Sequence, residues 1–181
     1  MLSEALLRSA AEYNLLPIDY YKREEFVLRN AYITAEGALE LTMDRLKRTV
    51  KGTNCLILGY GRIGKFLARL LLNLHASVTV AARKGKDLVQ AELDGCIPCP
   101  LRDLAGCLPR CDVLYNTIPH LILDQTLLPL VPKSCLCIDL ASKPGGIDLR
   151  AAEQLELETI WALGLPGKVA PGSAGKSEAK R

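Results

Sequence analysis

Three glycines at the spacing G-x-G-x-x-G carry the clearest chemical signal in this chain. Gly59, Gly61 and Gly64 follow the apolar run 55–58 directly and precede an apolar helical pattern. In a dinucleotide site the first glycine makes a tight turn, the second admits a pyrophosphate, and the third allows close helix packing. The amides of the helix's first turn then favour phosphate. We therefore predict a dinucleotide site in preference to a purely structural turn. The residues predicted to form it are Gly59, Tyr60, Gly61, Arg62, Ile63 and Gly64.

The end of the next predicted strand indicates which dinucleotide is preferred. NAD sites of this kind usually carry an Asp or Glu there, which accepts a hydrogen bond from the ribose 2′-hydroxyl. This chain instead has Ala82-Arg83-Lys84-Gly85-Lys86, with no carboxylate before Asp87. A guanidinium fork matches a 2′-phosphate, which a carboxylate would repel. The sequence therefore favours NADP, with Ala82, Arg83 and Lys84 as cofactor contacts. A solvated basic turn is the alternative.

Alternating strand and helix patterns would position these residues. Strands are predicted at 55–58, 77–82, 96–99, 112–116, 134–140 and 158–162, with helical patterns after the glycines and at 86–94, 101–107 and 148–155. This alternation predicts an α/β fold, a Rossmann-type doubly wound parallel sheet with helices on both faces. One or two helices precede it. One is predicted at 3–13, Pro17 breaks the pattern, and Thr34 is predicted to cap the second, which runs to Lys47.

Three loops at the carboxyl ends of the predicted strands are candidates for ligand contact, because ligands of such sheets bind at that edge. They are 116–119, 141–146 and 164–167. Turns of purely structural role use Pro and Gly in the same way. We divide the 181 residues into N-terminal helices and a connector at 1–50, the NADP-binding domain at 51–167, and a basic, flexible tail at 168–181.

Composition narrows the class of protein. Hydrophobic residues make up 49% and aromatic residues 5% of the chain, as in α/β layers rich in Leu, Val and Ala. The net charge is +3, and residues 168–181 account for that excess. A nucleic-acid partner would need cations clustered on a folded face, so none is expected. No apolar run reaches the ~18 residues of a membrane span, and Met1 opens no signal peptide. We expect a soluble, cytoplasmic chain without a membrane partner.

The seven cysteines could suggest a metal site or disulfides. Their odd number and a reducing compartment argue against disulfides. Cys96, Cys99, Cys107 and Cys111 loosely approach zinc-ligand spacing, but the second pair is one residue too wide and Pro98 interrupts the first. A structural zinc site usually shows two clean pairs, so no metal is predicted.

Taken together, segments along nearly the whole chain resemble one family, the A subunits of bacterial dipicolinate synthases. The matching segments are 13–17, 34–38, 59–64, 82–84, 116–119, 139–146 and 164–171. The glycine loop is common to many dehydrogenases, whereas the last two segments are far more specific. The family has an additional N-terminal α/β domain, to whose final helix and connector residues 1–33 correspond, and it continues beyond Pro171 into a further helix.

The resemblance implies NADP-dependent oxidation of the small molecule dihydrodipicolinate to dipicolinate during endospore formation, and the partner it implies is the B subunit of dipicolinate synthase. It also implies that Asn116, Thr117, Ile118 and Pro119 lie along the cofactor, and that Ala141, Ser142 and Lys143 approach the nicotinamide and substrate. The protein must orient the ring and neutralise two carboxylates, which suits cations and hydroxyls. The catalytic candidates are Ser142, Lys143 and Thr34, each with an alternative as a turn or cap residue.

Other hypotheses are left open. His120 could line the cleft, whereas His75 is expected to be a cap or surface residue. The chain could be an NADP-binding module without catalysis of its own. It could also be a fragment of a 2-hydroxyacid dehydrogenase, although the loop 139–146 lacks the Arg-Glu-His set of that family. Self-association is undecided.

Overall fold

Six strands form one all-parallel sheet in the order β3-β2-β1-β4-β5-β6. The computed structural model describes residues 23–171, together with Arg8, Ser9, Glu12 and Tyr13. The strands are β1 Asn54–Leu58, β2 Ser77–Ala82, β3 Ile97–Pro100, β4 Val113–Asn116, β5 Leu136–Asp139 and β6 Thr159–Trp161. Apolar runs of this kind, bounded by turn residues, are typical of parallel strands covered on both faces. The strand order is that of a doubly wound dinucleotide-binding sheet, which confirms the predicted fold class.

Helices cover one face of the sheet more completely than the other. They are α1 Glu24–Arg45, α2 Arg62–Asn73, α3 Gly85–Leu93, α4 Leu149–Gln154 and α5 Leu165–Val169. On the first face, Leu67 and Leu71 of α2 pack with Ile57 of β1. On the second face, α4 is joined by short 3₁₀ helices at Leu101–Gly106, Leu108–Arg110 and Leu128–Leu130. Helices on both faces are therefore confirmed. On the second face the helix predicted at 101–107 is the 3₁₀ helix Leu101–Gly106, and the two other 3₁₀ helices were not predicted.

The predicted helix cap at Thr34 is wrong. Helix α1 begins at Glu24, and the Thr34 hydroxyl donates to the carbonyl of Asn30 at 2.7 Å, one turn back within the helix. Two acidic residues, Glu24 and Glu25, occupy the first turn, where their negative charges interact favourably with the helix dipole and stabilise the helix. No Pro or Gly separates this turn from Thr34, so nothing ends the helix before it.

Helix α1 is fixed to the rest of the chain at two points. A Cβ on Gly37 would lie 2.9 Å from Cγ2 of Val169, so side chains of α5 pack directly on the backbone of α1. Farther along, the buried Thr42 hydroxyl lies 2.6 Å from the hydroxyl of Tyr115 in β4. The segments 34–38 and 164–171, far apart in the sequence, therefore meet in space.

The remaining predicted strands and helices agree with the observed ones to within two residues at each end. Most of the helix predicted at 3–13, the break at Pro17 and most of the tail predicted at 168–181 lie outside the described residues. Within 3–13, Arg8, Ser9 and Glu12 are helical and Tyr13 lies in a turn. The division into domains stays a prediction. None of the described helices combines the length and the apolar character needed to cross a bilayer.

Candidate functional site

The glycine loop leaves β1 at the point where the strand order reverses. Leu58 of β1 is the register partner of Asn116 in β4, so Gly59 and Thr117 leave the sheet side by side. Gly59 has a φ of +93°, and a Cβ there would lie 2.6 Å from Oγ1 of Thr117. A Cβ on Gly64 would collide with the Gly59 carbonyl oxygen. The first and third glycines are thus required by the close approach of neighbouring groups.

The second glycine faces open space. No atom lies within 4 Å of the position that a Cβ on Gly61 would take. Gly61 is the N-cap of α2, no side chain caps the helix, and its first turn contains no acidic residue. The first intrahelical bond at this end is donated by Lys65 to Gly61, which leaves the amides of Arg62, Ile63 and Gly64 without a helical acceptor. The open space beside Gly61 and the free amides of the first turn together form a cradle that fits a pyrophosphate.

Two cavities flank the glycine loop. The β2-side cavity has a volume of about 290 Å³ and is lined by Gly59, Tyr60, Ala82, Arg83, Lys84, Asp87, Leu101, Ile118, His120 and Ile122. The α1-side cavity has a volume of about 270 Å³ and is lined by Val27, Asn30, Ala31, Thr34, Gly61, Arg62, Ile63 and Thr117.

The β2-side cavity carries an excess of positive groups. Arg83 and Lys84 follow the end of β2 and are exposed, and the exposed His120 imidazole belongs to the same lining. Asp87 is the single carboxylate among the residues that line it. Such a surface favours an anionic group. His120 therefore shares a cavity with Arg83, whereas Thr34 lines the cavity on the α1 side.

Arg62 lines the α1-side cavity, and its side chain is paired with a residue of α1. Its guanidinium donates to both carboxylate oxygens of Glu24, with an Nε–Oε1 distance of 2.7 Å and an Nη2–Oε2 distance of 2.6 Å. The hydrogen bonds from Arg62 hold the pKa of the Glu24 carboxyl below its ordinary value, and the same pair raises the pKa of Arg62. Because its side chain is committed to α1, Arg62 offers a ligand its backbone amide.

Tyr60, like Arg62, has its polar side-chain group bonded within the protein, so it can offer a ligand only its backbone. Its side chain is buried, and the hydroxyl donates to Oδ2 of Asp94 at 2.6 Å. Burial, followed by the hydrogen bond to Asp94, raises the pKa of Tyr60. The ring thereby anchors the glycine loop to the residue that follows α3.

Asn116 fixes the loop after β4. Its side chain is fully buried, and its amide nitrogen donates to the Ile118 carbonyl at 3.0 Å and to Oδ1 of Asp139 at 2.7 Å. Its carbonyl oxygen accepts from the Ile118 backbone at 3.1 Å. Thr117 adds a bond from its hydroxyl to the Leu58 carbonyl at 2.8 Å. Loop 117–119 is therefore held in one conformation beside the glycine loop.

Asp139, which was not predicted as a site residue, fixes the loop after β5. Its buried carboxylate accepts from the amides of Ala141 at 3.0 Å and Gly146 at 2.8 Å, in addition to Asn116. Trp161 donates to the Ala141 carbonyl at 3.0 Å, which closes the loop from the β6 side. The sequence signal that could have identified Asp139 is a carboxylate at the end of an apolar strand, in register with an Asn on the neighbouring strand.

Most of the predicted cofactor contacts line the two cavities, and so does Thr34, one of the three predicted catalytic residues. Residues 59–63, 82–84 and 117–118 line them. Gly64 packs against Gly59, Asn116 is buried, and Pro119 is exposed between Ile118 and His120, so these three line neither cavity. Ser142 and Lys143 are exposed on loop 141–146 and line neither cavity, while the adjacent Ala141 is buried. Their roles stay predictions.

The described residues hold no group of three or more His, Cys, Asp or Glu side chains that could bind a metal ion. The four cysteines with approximate zinc spacing are divided among three places, and Cys96 belongs to the core on the opposite face of the sheet from the other three. Cys99 lies next to Cys107, whereas Cys111 lies next to Cys135.

Comparison with known proteins extends these findings. Residues 27–141 match the family model described as the NAD binding domain of D-isomer specific 2-hydroxyacid dehydrogenases. The chain is 35% identical to the A subunit of dipicolinate synthase from Bacillus subtilis over 176 residues, which cover 97% of this chain and 59% of that protein. The resemblance predicted from the sequence is confirmed.

Two solved structures have closely similar backbones. The crystal structure of the dipicolinate synthase A subunit from Bacillus halodurans has a TM-score of 0.91 and 35% identity, over 98% of this chain and 62% of that one. The corresponding crystal structure from Bacillus subtilis has a TM-score of 0.91 and 34% identity, over 99% of this chain and 60% of that one. The chain spans about three fifths of the length of these relatives.

Proposed function

We propose that this chain is the nucleotide-binding part of a dipicolinate synthase A subunit. The chain belongs to the family of D-isomer specific 2-hydroxyacid dehydrogenase NAD-binding domains. Family membership and the 35% identity to the A subunit of a dipicolinate synthase support a nicotinamide-dinucleotide-binding oxidoreductase subunit. The finer proposal concerns which dinucleotide it uses and which reaction it supports.

The geometry around Gly61 carries the proposal. An open cradle and free helix amides lie between two cavities at the β1–β4 switch point, where dinucleotides bind in doubly wound sheets. We assign the pyrophosphate to the amides at the start of α2. The adenosine half belongs in the β2-side cavity, and the nicotinamide half belongs toward the α1-side cavity.

NADP is the proposed cofactor. Arg83 follows the last residue of β2, the position of the ribose contact in this fold, and the exposed Lys84 lines the same cavity. Two cations can neutralise a 2′-phosphate, and the guanidinium can bind two of its oxygens at once. His120, from the loop after β4, lies in the lining of the same cavity and is assigned to the adenosine half rather than to catalysis.

The proposed reaction converts dihydrodipicolinate and NADP⁺ to dipicolinate, NADPH and a proton. Bound NADP supplies the hydride acceptor. The ring becomes aromatic as it loses its proton, so the protein's main task is to orient the ring and neutralise its two carboxylates. Lys143 and Ser142, exposed on loop 141–146, are proposed for that task. The Thr34 hydroxyl gives its hydrogen to Asn30, so while that bond is kept it can accept from a ligand but not donate.

Turnover is proposed for the whole protein working with a B subunit in the cytoplasm of the sporulating cell. The chain covers 59% of a relative named as a subunit of dipicolinate synthase. In this proposal, its described part supplies the nucleotide site and the loop that carries Lys143.

Calorimetric titration with NADPH and NADH tests the cofactor proposal. We expect tighter binding of NADPH and a loss of about ten- to a hundredfold in Arg83→Asp, because a charge-assisted contact is removed and a repulsive carboxylate is introduced. Lys86→Asp is the matched control, since Lys86 is also an exposed cation but does not line the cavity. Equal affinities for the two nucleotides would contradict the NADP proposal, and binding of neither would contradict the site.

Assays with dihydrodipicolinate and a B subunit then test the reaction. We expect NADPH formation that Lys143→Ala reduces without changing NADPH affinity. NADPH binding without turnover, by the whole protein with its partner, would contradict the enzymatic proposal and favour a nucleotide-binding module.

A further inference from the structure

Two cysteines bracket the 3₁₀ helix Leu101–Gly106. Cys99 lies in β3 just before it, and Cys107 follows its last residue. Their Sγ atoms are 2.8 Å apart, although both thiols are free. A disulfide has an S–S length of about 2.05 Å, so closing the bond requires a shift of less than 1 Å. No other pair of cysteines among the described residues approaches so closely; Cys111 and Cys135 are 3.5 Å apart.

We propose that Cys99 and Cys107 form a reversible dithiol–disulfide site that is oxidised by a low-molecular-weight disulfide of the glutathione type. The seven cysteines lie in an otherwise apolar interior, and this pair alone combines contact between its sulfurs with a partly exposed member. The site is independent of the proposed nucleotide function.

Access to the pair is unequal, which sets the order of reaction. Cys99 is 4% exposed, whereas Cys107 is partly exposed. Both line a groove of about 240 Å³ that is also lined by the exposed Arg110, a cation suited to the carboxylates of a peptide disulfide. Burial, followed by the hydrogen bond with Cys107, raises the pKa of Cys99 to about 12. Since the thiolate is the nucleophile, Cys107 reacts first.

The exchange balances in two steps. The Cys107 thiolate attacks one sulfur of the oxidised disulfide, forms a mixed disulfide and releases one small thiolate. Cys99 then loses its proton and attacks the Cys107 sulfur, which forms the Cys99–Cys107 bond and releases the second small thiol. Two protein thiols are oxidised, and one small disulfide is reduced to two thiols.

The bond would tie together both ends of the 3₁₀ helix. Leu101, its first residue, lines the β2-side cavity, and Cys99 is the register partner of Ala81 in β2. Oxidation should therefore restrict the motion of the 3₁₀ helix that forms one wall of that cavity. NADPH should then bind severalfold more tightly, because less conformational entropy is lost when it binds. This consequence rests on the proposed function, whereas the disulfide does not.

Mass spectrometry of the whole chain, treated with oxidised glutathione and then with dithiothreitol, tests the site. We expect the loss of two hydrogen atoms, recovered on reduction, and a cross-link between tryptic peptides 87–102 and 103–110, in which Cys107 is the sole cysteine of its peptide. Cys99→Ala should trap one glutathione on Cys107, and Cys107→Ser should remain unmodified. Cys111→Ser, from the buried pair, should still oxidise as the unaltered chain does.

An unchanged mass, or a cross-link between Cys111 and Cys135 instead, would overturn the proposal. Failure of Cys99→Ala to retain glutathione, with its melting curve unchanged, would also overturn it. NADPH affinity that is equal in the oxidised and reduced chains would refute the coupling to the cavity. Absence of NADPH binding in both forms would refute the proposed function and leave the disulfide standing.

Discussion

Asn116 donates its side-chain amide to the carboxylate of Asp139 across the ends of β4 and β5, with an Nδ2–Oδ1 distance of 2.7 Å. The two residues are register partners and are buried, at 0% and 1% exposure. Through Asn116 the pair holds Ile118, and through Asp139 it holds Ala141 and Gly146. Two loops of the candidate site therefore depend on one polar contact in the interior.

Replacing Asp139 with Ala should destabilise the fold strongly. The substitution leaves the backbone amides of Ala141 and Gly146 without their acceptor and removes one of the two acceptors of the Asn116 amide. Buried donors without acceptors cost about 1–3 kcal/mol each, so the two stranded amides predict a loss of about 2–6 kcal/mol in the free energy of unfolding. Urea unfolding measures it as a lower midpoint at unchanged slope.

Asp139→Asn is the control for shape. It keeps the volume and one acceptor oxygen, so its loss should be smaller than that of Asp139→Ala while remaining measurable. Equal stability of the Ala variant and the unaltered chain would refute the role given to this pair.

Gly61 and Gly64 should respond in opposite ways to a single methyl group. Gly61→Ala adds the methyl to open space, so the fold should melt normally while nucleotide affinity falls at least tenfold, because the group enters the proposed pyrophosphate cradle. Gly64→Ala drives the methyl into the Gly59 carbonyl, and overpacking of this kind costs about 1–3 kcal/mol. Melting curves and NADPH titrations of both variants separate the two effects. Normal stability of Gly64→Ala would contradict the close approach of α2 to the loop.

Thr42 and Tyr115 should also be unequal partners. The Thr42 hydroxyl donates to the Ala38 carbonyl at 2.8 Å, so its single hydrogen is used and Tyr115 is the donor between the two hydroxyls. Thr42→Val strands the buried Tyr115 hydroxyl and should cost about 1–3 kcal/mol, whereas Tyr115→Phe strands no donor and should cost about 1 kcal/mol. Denaturant unfolding of the two single variants gives the comparison. A larger cost for Tyr115→Phe would reverse the assigned direction.

The sequence predicted the sheet and the glycine loop well because both are local signals. Each strand is an apolar run bounded by turn residues, and the three glycines lie within six positions of one another. The start of α1 was missed because Thr34 satisfies the rules for a cap and also tolerates a helix interior, where its hydroxyl bonds back to Asn30. The choice depended on packing, since Ala35 and Ala38 are buried against the sheet.

The role of Asp139 and the two cavities could not be predicted from local sequence patterns, because they depend on contacts between distant residues. Asp139 meets Asn116 across 23 residues, and Arg62 meets Glu24 across 38. Such pairs depend on which strands and helices become neighbours, and that is decided by the sheet order. Ser142 and Lys143 were selected by resemblance, and their loop was correctly expected at the carboxyl edge, but the cavity they would serve is not among those that flank the glycine loop.

The ion pair between Glu24 and Arg62 should make stability depend on pH in the acid range. Hydrogen bonds from Arg62 lower the folded-state pKa of Glu24 below its ordinary 4.5, so the pair stabilises the fold above that pH and the contribution is lost as the pH falls through the lowered value. Both groups are exposed, so the effect is small and salt weakens it. We expect Glu24→Gln to melt below the unaltered chain at neutral pH and low salt, and the difference to vanish below the folded pKa. Glu25→Gln, which removes a charge from the same helical turn, is the control because Glu25 makes no ion pair with any described residue. A difference that persists in strong acid would show that the loss does not come from the charge of Glu24. A loss that Glu25→Gln reproduces would attribute the stabilisation to the helix dipole rather than to Arg62.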